Sequence, residues 1–431
     1  MKHEQKTVAV LGAGIIGANC AAELQSLGFK VTLIDKEGIG SGCSKGNAGH
    51  FATEQVFPLA DPSLLVQVPK MLLDPLGPMA LSPSYFPKAL PWFLKFMRNM
   101  LSTRRNHNKE ALKLINRDAI KYYKTLLKSA EAESLLSTNG SLLVFETTAI
   151  EEVKKHYELY KNEGIAVELL TREEVLALEP NLGDSINFAL HFTEVAHTID
   201  PYDVCQAIAQ YAINLGANFH KASVSEIKET NDKVILSLEN TESISTTNKF
   251  VKQSYDHLVV ATGAWSKSLL GSMGYSLPLE VERGYSLNLQ KIDKPELNRP
   301  VASAERKFIM TPMNHGLRLS GTVEFAGLKR KANMDRADML YKHAKVLIND
   351  IAPFNESNAK DHQRWLGFRP SLPDSLPVIS KATKHKHTYF ALGHQHLGLT
   401  LGAITGKLIG QIMTNSETDI DISPFCISRF N

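Results

Sequence analysis

Three glycines spaced Gly-x-Gly-x-x-Gly follow a short apolar segment near the start of the chain. Thr7–Leu11 consists mostly of apolar residues, which is typical of a strand buried on both faces of a parallel sheet. Gly12 then allows a tight turn, Gly14 lets the backbone approach a pyrophosphate, and Gly17 lets the next helix pack closely on the sheet. The pattern therefore predicts a strand, a phosphate-binding turn and a helix over Gly14–Leu27 whose N-terminal amides face the phosphate.

The residues after this helix support a dinucleotide site. Gly28 stands where a helix C-cap is expected, and Lys30–Ile34 has the composition of a second buried strand. Asp35 closes that strand eighteen residues after Gly17, where a carboxylate accepts hydrogen bonds from a ribose hydroxyl. Because a carboxylate at this position disfavours a 2′-phosphate, we do not expect NADP.

Three further turns of small residues accompany predicted strands. For Gly38–Gly49 we favour a cofactor-lining loop over a flexible linker, since free amides suit a cofactor that runs further into the protein. Tyr255–Trp265 predicts a buried strand that opens into a turn. Gly393–Thr400 precedes a predicted helix, and the glycines at every fourth position from Gly402 to Gly410 predict close packing of that helix on a sheet.

The segment Val56–Leu101 has a different composition. Prolines alternate there with Leu, Met, Phe and Trp, which predicts irregular structure with short helices. We favour burial of its apolar residues against the second domain. The alternative is a lid or a membrane-facing patch, assisted by Arg98, Arg104 and Arg105.

Composition excludes several functional classes. A chain of 431 residues, 43% of them hydrophobic, can bury a large core and predicts two domains. The 48 basic and 45 acidic residues nearly balance without a concentrated basic patch, which argues against a nucleic-acid partner. We expect neither a secretory signal nor a membrane span. Cys20, Cys43, Cys205 and Cys426 show neither metal-ligand spacing nor a disulfide pattern, so we expect a reducing compartment and no metal.

Several motifs in a fixed order carry a resemblance to a known family. They are the Gly12–Gly17 turn, Asp35, Ser44-Lys-Gly-Asn-Ala-Gly, Val260-Ala-Thr-Gly-Ala, Arg283-Gly-Tyr-Ser, Gly367-Phe-Arg-Pro-Ser-Leu-Pro-Asp-Ser-Leu-Pro-Val-Ile and Gly393-His-Gln-His-Leu-Gly-Leu-Thr. With them the chain resembles the FAD-dependent D-amino-acid oxidase superfamily over nearly its whole length, and most of all its bacterial D-amino-acid dehydrogenases of the small-subunit type. The resemblance implies an α/β fold. Residues 1–55, 195–272 and 358–431 would form a discontinuous Rossmann-like FAD-binding domain, and residues 56–194 and 273–357 an α+β substrate-binding domain with a mixed or antiparallel sheet.

The resemblance also implies one non-covalently bound, extended FAD. Its adenine would lie near Asp35 and Lys36, and its ring near residues 44–49 and 393–400. The residues expected to contact it are Gly12, Gly14, Ile15, Ile16, Gly17, Asp35, Lys36, Cys43, Ser44, Asn47, Ala48, Gly49, Val224, Ala261, Thr262, Gly263, Trp265, Gly367, Gly393, His396, Leu397, Gly398, Leu399 and Thr400.

For the substrate, the resemblance implies that Arg369 binds a carboxylate, since a guanidinium makes bidentate bonds of fixed geometry. Tyr285 would close over the substrate or bond its carboxylate, although ordinary sheet packing explains a tyrosine there equally well. His50 and His394 would lie beside the substrate. His50, His394 and His396 all stay open as proton acceptors, so no catalytic residue is assigned.

The expected reaction is oxidative deamination of a D-amino acid to a 2-oxo acid and ammonia, by hydride transfer from Cα to FAD. Electrons would pass to a quinone or another carrier. Oxidation of a secondary amine such as D-proline, hydroxy-D-proline or sarcosine, or of glycine, stays open, as does a flavin-binding subunit that is inactive without a partner chain. We expect a cytoplasmic location and no nucleic-acid partner. Peripheral contact with the inner face of the cell membrane and the oligomeric state are left open.

Overall fold

The computed structural model describes residues 5–74, 77–240, 250–290, 297–355 and 363–430. The strands are β1 (Thr7–Leu11), β2 (Lys30–Asp35), β3 (His50–Phe51), β4 (Met79–Leu81), β5 (Leu136–Ser137), β6 (Ser141–Phe145), β7 (Val167–Thr171), β8 (Phe188–Phe192), β9 (Ala196–Thr198), β10 (Asn218–Glu229), β11 (Val234–Asn240), β12 (Phe250–Tyr255), β13 (His257–Val260), β14 (Glu280–Asn288), β15 (Val301–Ser303), β16 (Phe308–Met313), β17 (Gly316–Phe325), β18 (Arg364–Ser371), β19 (Val378–Lys381) and β20 (Thr388–Leu392). The helices are α1 (Ile15–Ser26), α2 (Leu64–Leu73), α3 (Phe86–Arg98), α4 (Ser102–Asn116), α5 (Ala119–Ser129), α6 (Ile150–Asn162), α7 (Arg172–Leu178), α8 (Pro201–Asn214), α9 (Ser266–Ser272), α10 (Asp335–Leu347) and α11 (Gly398–Thr414). The predicted mixed α/β fold is confirmed.

The first sheet contains the predicted nucleotide-binding strands. Its order is β12-β11-β10-β2-β1-β13-β20-β19, and β10, β2, β1, β13 and β20 run parallel. Val8, Ala9 and Val10 of the central strand are completely buried, as expected of a strand covered on both faces. One side packs against α1, α8 and α11, whose apolar residues share a core cluster with β1 and β2.

The glycines of α11 explain a close helix contact, but with a partner other than the predicted sheet. A Cβ on Gly406 would lie 2.6 Å from the carbonyl oxygen of Asn19 in α1, and one on Gly402 would lie 2.3 Å from Tyr123 Oη. The prediction of close packing is therefore confirmed, whereas the predicted partner is wrong. The absence of side chains at these glycines lets α11 approach α1 and α5.

The second sheet is built from the middle of the chain, in the order β18-β14-β17-β16-β15-β6-β8-β7, with β4 paired to β17. Strand β18 lies beside β14, although the predicted boundary at residue 358 assigns this segment to the nucleotide-binding part. Helix α10 covers one face and shares a core cluster with β14, β16 and β17. A small third sheet, β3-β9-β5, brings His50 next to His197.

The proline-rich segment contains the short helices that its composition predicts, α2 and α3, together with β4. The favoured burial of its apolar residues is wrong for many of them, including Val66 and Leu94, which are exposed because they lie on the outer sides of these helices. The inner side of α3 buries Ala89 and Trp92, and β4 extends the second sheet. In the parts of the chain that the structure describes, no helix is both long and apolar enough to cross a bilayer.

Candidate active site

The glycine turn adopts the backbone that its sequence predicts. Gly12 has φ of +103°, and a Cβ there would lie 2.4 Å from the carbonyl oxygen of Ala261. A Cβ on Gly17 would lie 1.7 Å from the carbonyl oxygen of Gly12, so α1 can pack here only because residue 17 is glycine. A Cβ on Gly14 would meet no described atom closer than Ser44 Oγ, at 3.5 Å. The backbone of Gly14 can therefore be approached by a ligand.

A cavity of about 540 Å³ lies at the carboxyl ends of β1, β2, β13 and β20, where open parallel sheets bind their ligands. It brings together many predicted residues that are far apart in sequence. Those lining it are Gly12, Gly14, Ile15, Ile16, Asp35, Lys36, Cys43, Ser44, Asn47, Val224, Ala261, Thr262, Gly263, Trp265, Gly393, His394, Gly398 and Leu399. The predicted residues that do not line it are Gly17, Ala48, Gly49, His50, Tyr285, Gly367, Arg369, His396, Leu397 and Thr400.

Some of these residues shape the walls of the site. A Cβ on Gly367 would lie 2.0 Å from the ring of Trp365, so the tryptophan explains why position 367 is small. Thr400 Oγ1 accepts a hydrogen bond from the Ala52 amide at 2.9 Å, which holds the segment after β3 against the start of α11. Gly367 does not line the cavity, and its side-chain position faces Trp365.

The cavity also has lining residues that the sequence reasoning missed. Ser268, Leu269 and Ser272 of α9 form part of one wall, and Phe368 and Gln395 form part of another. The position of α9 directly after the small-residue turn at the end of β13 is a signal that could have identified the first three, since helices that follow such turns start at the ligand. Predicting Phe368 as a lining residue would have required knowing which face of β18 meets the cavity.

At one end of the cavity, the Asp35 carboxylate is held by backbone amides. Its Oδ2 accepts a hydrogen bond from the Ala13 amide at 2.9 Å, and its Oδ1 accepts one from the Glu37 amide at 2.9 Å. Lys36 Nζ lies 4.9 Å from the ring centroid of Trp265, so a cation and an aromatic face close this end. The amides orient the carboxylate at the end of β2, where a ribose is expected.

At the other end, α11 begins with an N-terminus that no side chain caps. Gly398 and Leu399 line the cavity, so the first amides of this 17-residue helix and its positive dipole end lie beside it. His394 Nε2 lies 2.9 Å from Thr405 Oγ1, and burial lowers the pKa of His394 to about 3. Gln395 Oε1 is buried without a hydrogen-bond partner among the described residues. A polar ligand can form hydrogen bonds with the first amides of α11 and with Gln395.

Arg369 lies next to this cavity on β18. A Cβ on Gly284 would lie 2.3 Å from Arg369 Nη2, so the guanidinium occupies the space above this glycine of β14. Arg369 Nη1 also donates to the carbonyl oxygen of Thr322 at 3.4 Å. Desolvation raises the pKa of the thiol of Cys43, which lines the cavity, and the positive charge of Arg369 opposes that rise.

The sheet face that carries Arg369 is polar and buried. Ser286 pairs directly with Ser320 across β14 and β17, and Thr311 lies on the neighbouring strand with its side chain on the same face. Their hydroxyls are buried, as is that of Thr322, and they have no hydrogen-bond partner among the described residues. Thr322 also has φ of +60°, an unusual conformation for a β-branched residue. Buried polar groups of this kind indicate a site for a polar ligand or ordered water.

Tyr285 does not share this face with Arg369, so of the interpretations that the sequence left open for this tyrosine, the geometry favours packing within the sheet. Tyr285 directly follows Gly284, and successive side chains of a strand point to opposite faces. Its hydroxyl instead donates to Glu324 Oε2 at 2.6 Å, and Arg283 Nη1 lies 3.2 Å from the same oxygen. Burial and Glu324 raise the pKa of Tyr285 to about 12. The tyrosine is part of a buried ionic cluster.

Glu54 is a candidate site residue that sequence reasoning missed. Its side chain is 4% exposed, and its Oε1 lies 2.9 Å from His50 Nε2. Glu54 Oε2 and His50 Nδ1 are buried without hydrogen-bond partners among the described residues. The pKa of His396 is lowered to about 4, mainly by burial; Arg369 lowers it further, whereas Glu54 opposes the shift. The charges of Glu54 and Arg369 therefore shift the pKa of the same histidine in opposite directions.

Comparisons with known proteins agree with this geometry. The profile of a family described as "DAO: FAD dependent oxidoreductase" matches residues 7–412. The chain is 33% identical over 432 residues to a protein named D-amino-acid oxidase from Bradyrhizobium diazoefficiens, covering 99% of both chains. It is 28% identical to a protein named D-amino acid dehydrogenase from Vibrio vulnificus, covering 95% of this chain and 96% of the other.

Among solved structures, glycine oxidase from Geobacillus kaustophilus matches with a TM-score of 0.70 at 22% identity, covering 99% of both chains. L-proline dehydrogenase from P. horikoshii also matches with a TM-score of 0.70, at 18% identity, covering 99% of this chain and 98% of the other. At these identities the structures establish the shared fold.

Proposed function

Because the chain belongs to the DAO family of FAD-dependent oxidoreductases, we propose that it oxidises a D-amino acid at the α-carbon. The products are a 2-oxo acid and ammonia, formed by hydrolysis of the imine. The proposal takes its substrate class from relatives that are named D-amino-acid oxidase and D-amino acid dehydrogenase.

The residues of the cavity fit FAD. The open backbone at Gly14 suits a pyrophosphate, the oriented carboxylate of Asp35 suits a ribose, and the N-terminus of α11 suits an electron-rich ring edge. When bound, FAD supplies the group that accepts a hydride. The chain supplies the groups that position the substrate and hold its charges.

The observation that carries the proposal is the placement of Arg369 on a buried polar face beside this cavity. A guanidinium there binds a carboxylate through two charge-assisted hydrogen bonds and fixes its orientation. The unpartnered hydroxyls of Ser286, Thr311 and Ser320 offer further hydrogen bonds on the same face. A small zwitterion satisfies groups that would otherwise be buried without partners.

The His50–Glu54 pair is proposed to receive the amine of the substrate. Glu54 Oε2 is a free acceptor in a site with little solvent, so it attracts an ammonium group. A proton released from the amine can be held by this pair. His394 and His396 are less suited to that role, because burial lowers their pKa to about 3 and about 4 and keeps them neutral at pH 7.

For the electron acceptor we propose a quinone or another carrier. Molecular oxygen is the competing acceptor, and the name of the Bradyrhizobium relative favours it. Secondary amines such as D-proline, hydroxy-D-proline and sarcosine, and glycine, are the competing substrates. They are favoured by the names of the structural neighbours, which include a glycine oxidase and a proline dehydrogenase.

The test is anaerobic reduction of the purified yellow protein by a panel of D-amino acids, the matching L-amino acids, D-proline, sarcosine and glycine. We expect the flavin absorbance to bleach with D- but not with L-amino acids. Reoxidation is then followed with oxygen and with a water-soluble quinone, and a faster reaction with the quinone is expected. Bleaching by sarcosine or glycine alone would refute the substrate class, and preferential reoxidation by oxygen would refute the acceptor.

A further inference from the structure

Helix α3 exposes an apolar stripe that nothing in the described chain covers. Its members recur at intervals of three or four residues, so they lie on one side of the helix and its extension. They are Phe86, Leu90, Leu94, Met97 and Leu101, which are 42%, 39%, 55%, 42% and 60% exposed. We call these five residues the α3 face.

Helix α2 adds to this surface. Leu65, Val66 and Leu72 are also exposed. Leu72 and Phe86 line the same surface cleft of about 640 Å³, together with Asp74 and Glu324, so these two apolar side chains are neighbours. Exposed apolar side chains on two helices that meet at one cleft indicate an interaction site.

The sequence segment that carries the α3 face has charges of one sign. Between Met79 and Lys109 the chain contains no Asp or Glu, although acidic and basic residues nearly balance over its whole length. Lys88, Lys95, Arg98 and Arg104 are exposed, and within the described residues none of them forms an ion pair. Arg98 lies one turn from Leu94 and so flanks the apolar stripe, whereas Lys88 and Lys95 lie farther round the exposed side of the helix. Apolar and basic side chains on one exposed helix are typical of helices that lie in a membrane interface.

We propose that the α3 face docks the protein on a bilayer containing anionic phospholipids. Apolar side chains enter the interfacial region while the adjacent cations contact lipid phosphates. A second copy of this chain fits less well, since a twofold contact would place the same cations opposite each other. The proposal concerns a surface outside the FAD cavity and extends the proposed function to the place where it is carried out.

The inner side of α3 ties this surface to the active site. Trp92 Nε1 donates to the carbonyl oxygen of Ser371 at 3.2 Å, and Phe93 packs on Phe325 with ring centroids 5.1 Å apart. Ser371 ends the strand that carries Arg369, two residues away. A helix fixed in this way can dock without rearrangement and would hold the substrate-binding sheet near the bilayer.

Sedimentation with vesicles tests the proposal. The FAD-loaded protein is mixed with vesicles of phosphatidylcholine alone or of phosphatidylcholine with phosphatidylglycerol, at low and high salt. We expect binding to the anionic vesicles that weakens as salt rises. The double substitution Leu90→Glu/Leu94→Glu should abolish it, whereas the control Leu159→Glu, at a position 46% exposed on α6, should not.

A second double substitution tests whether the basic residues of α3 contribute to vesicle binding. It can decide the question even if Leu90→Glu/Leu94→Glu does not fold. Lys95→Glu/Arg98→Glu should lower affinity by about fivefold or more for each charge lost, since each basic residue near an anionic surface contributes about 1 kcal/mol. Lys154→Glu/Lys155→Glu on α6 is the matched control. FAD content and thermal unfolding verify folding of every variant.

Three results would overturn the proposal. One is no binding of the native protein to anionic vesicles. Another is unchanged binding after Lys95→Glu/Arg98→Glu in a folded variant. The third is a lipid-free dimer that Leu90→Glu/Leu94→Glu converts to a monomer, since the α3 face would then be covered by a second copy. None of these results depends on the substrate of the enzyme, so a failure here is separate from a failure of the proposed reaction.

Discussion

Replacing Arg369 by leucine should weaken substrate oxidation without loss of FAD. The guanidinium lies over Gly284, and within the described residues its one hydrogen bond goes to the carbonyl oxygen of Thr322 at 3.4 Å, so its other donors remain available to a carboxylate. Two hydrogen bonds to a charged group contribute about 1.5 kcal/mol each at a half-buried position, or about 3 kcal/mol together. This corresponds to roughly a hundredfold loss in kcat/KM.

The assay follows reduction of the bound flavin by a D-amino acid at increasing concentration, without oxygen, and yields both the limiting rate and the apparent affinity. Arg369→Lys keeps the positive charge but not the two parallel donors of the guanidinium, so we expect an intermediate loss in kcat/KM. Arg364→Gln is the matched control, because Arg364 lies on the same strand but pairs with Asp338 through two hydrogen bonds of 2.7 Å.

The reasoning fails if Arg369→Leu keeps its FAD and reduces it with unchanged affinity and rate. It fails also if the substitution of Arg364 produces an equal loss in a protein of normal stability. A loss of FAD in Arg369→Leu would instead mean that the arginine supports the structure of the cofactor cavity.

Three further predictions concern the cavity, the buried pair and the buried histidines. Gly14→Val should give colourless protein because its side chain fills the space before the pyrophosphate turn, whereas Gly271→Ala, whose added Cβ would have no described atom within 4 Å, should keep full FAD absorbance. Glu54→Gln removes the acceptor charge beside His50 and should raise KM at least tenfold with FAD retained; an unchanged KM and pH profile would exclude it from amine binding. His394 and His396 stay neutral in the folded protein, whereas in the unfolded chain the same histidines bind protons below about pH 6.5. The free energy of unfolding should therefore fall on acidification, by about 3 kcal/mol for the two histidines together between pH 6.5 and 5. Denaturant unfolding at the two pH values measures this, and equal stability at both would contradict it.

Local sequence rules were sufficient for the nucleotide-binding half. The strand, glycine turn and acidic residue of Thr7–Asp35 follow a local sequence pattern of about thirty residues, in which Gly12 and Gly17 are sterically required and Gly14 leaves the backbone open to a ligand. The resemblance implied that turns far apart in sequence surround one cofactor. In the structure, 18 of the predicted residues line one cavity.

The substrate face could not be derived in the same way. Whether Tyr285 joins Arg369 depends on the register of β14 against β18, and a shift of one residue moves a side chain to the opposite face. Glu54 was missed because an acidic residue in an irregular segment carries no periodic signal. It became a candidate only because the fold places its segment against the start of α11.

The two sides of α3 have different surroundings. Trp92 is buried and bonded to Ser371, while Leu94, two residues later, is 55% exposed. Two residues correspond to about 200° of helical rotation, so the same helix supports the strand of Arg369 and presents the α3 face to its surroundings. Since a membrane quinone resides in the bilayer, an enzyme that delivers electrons to it must bring its active site close to that surface. An acceptor test with vesicle-bound quinone should therefore be sensitive to Leu90→Glu/Leu94→Glu, whereas reduction of a water-soluble acceptor should be unchanged.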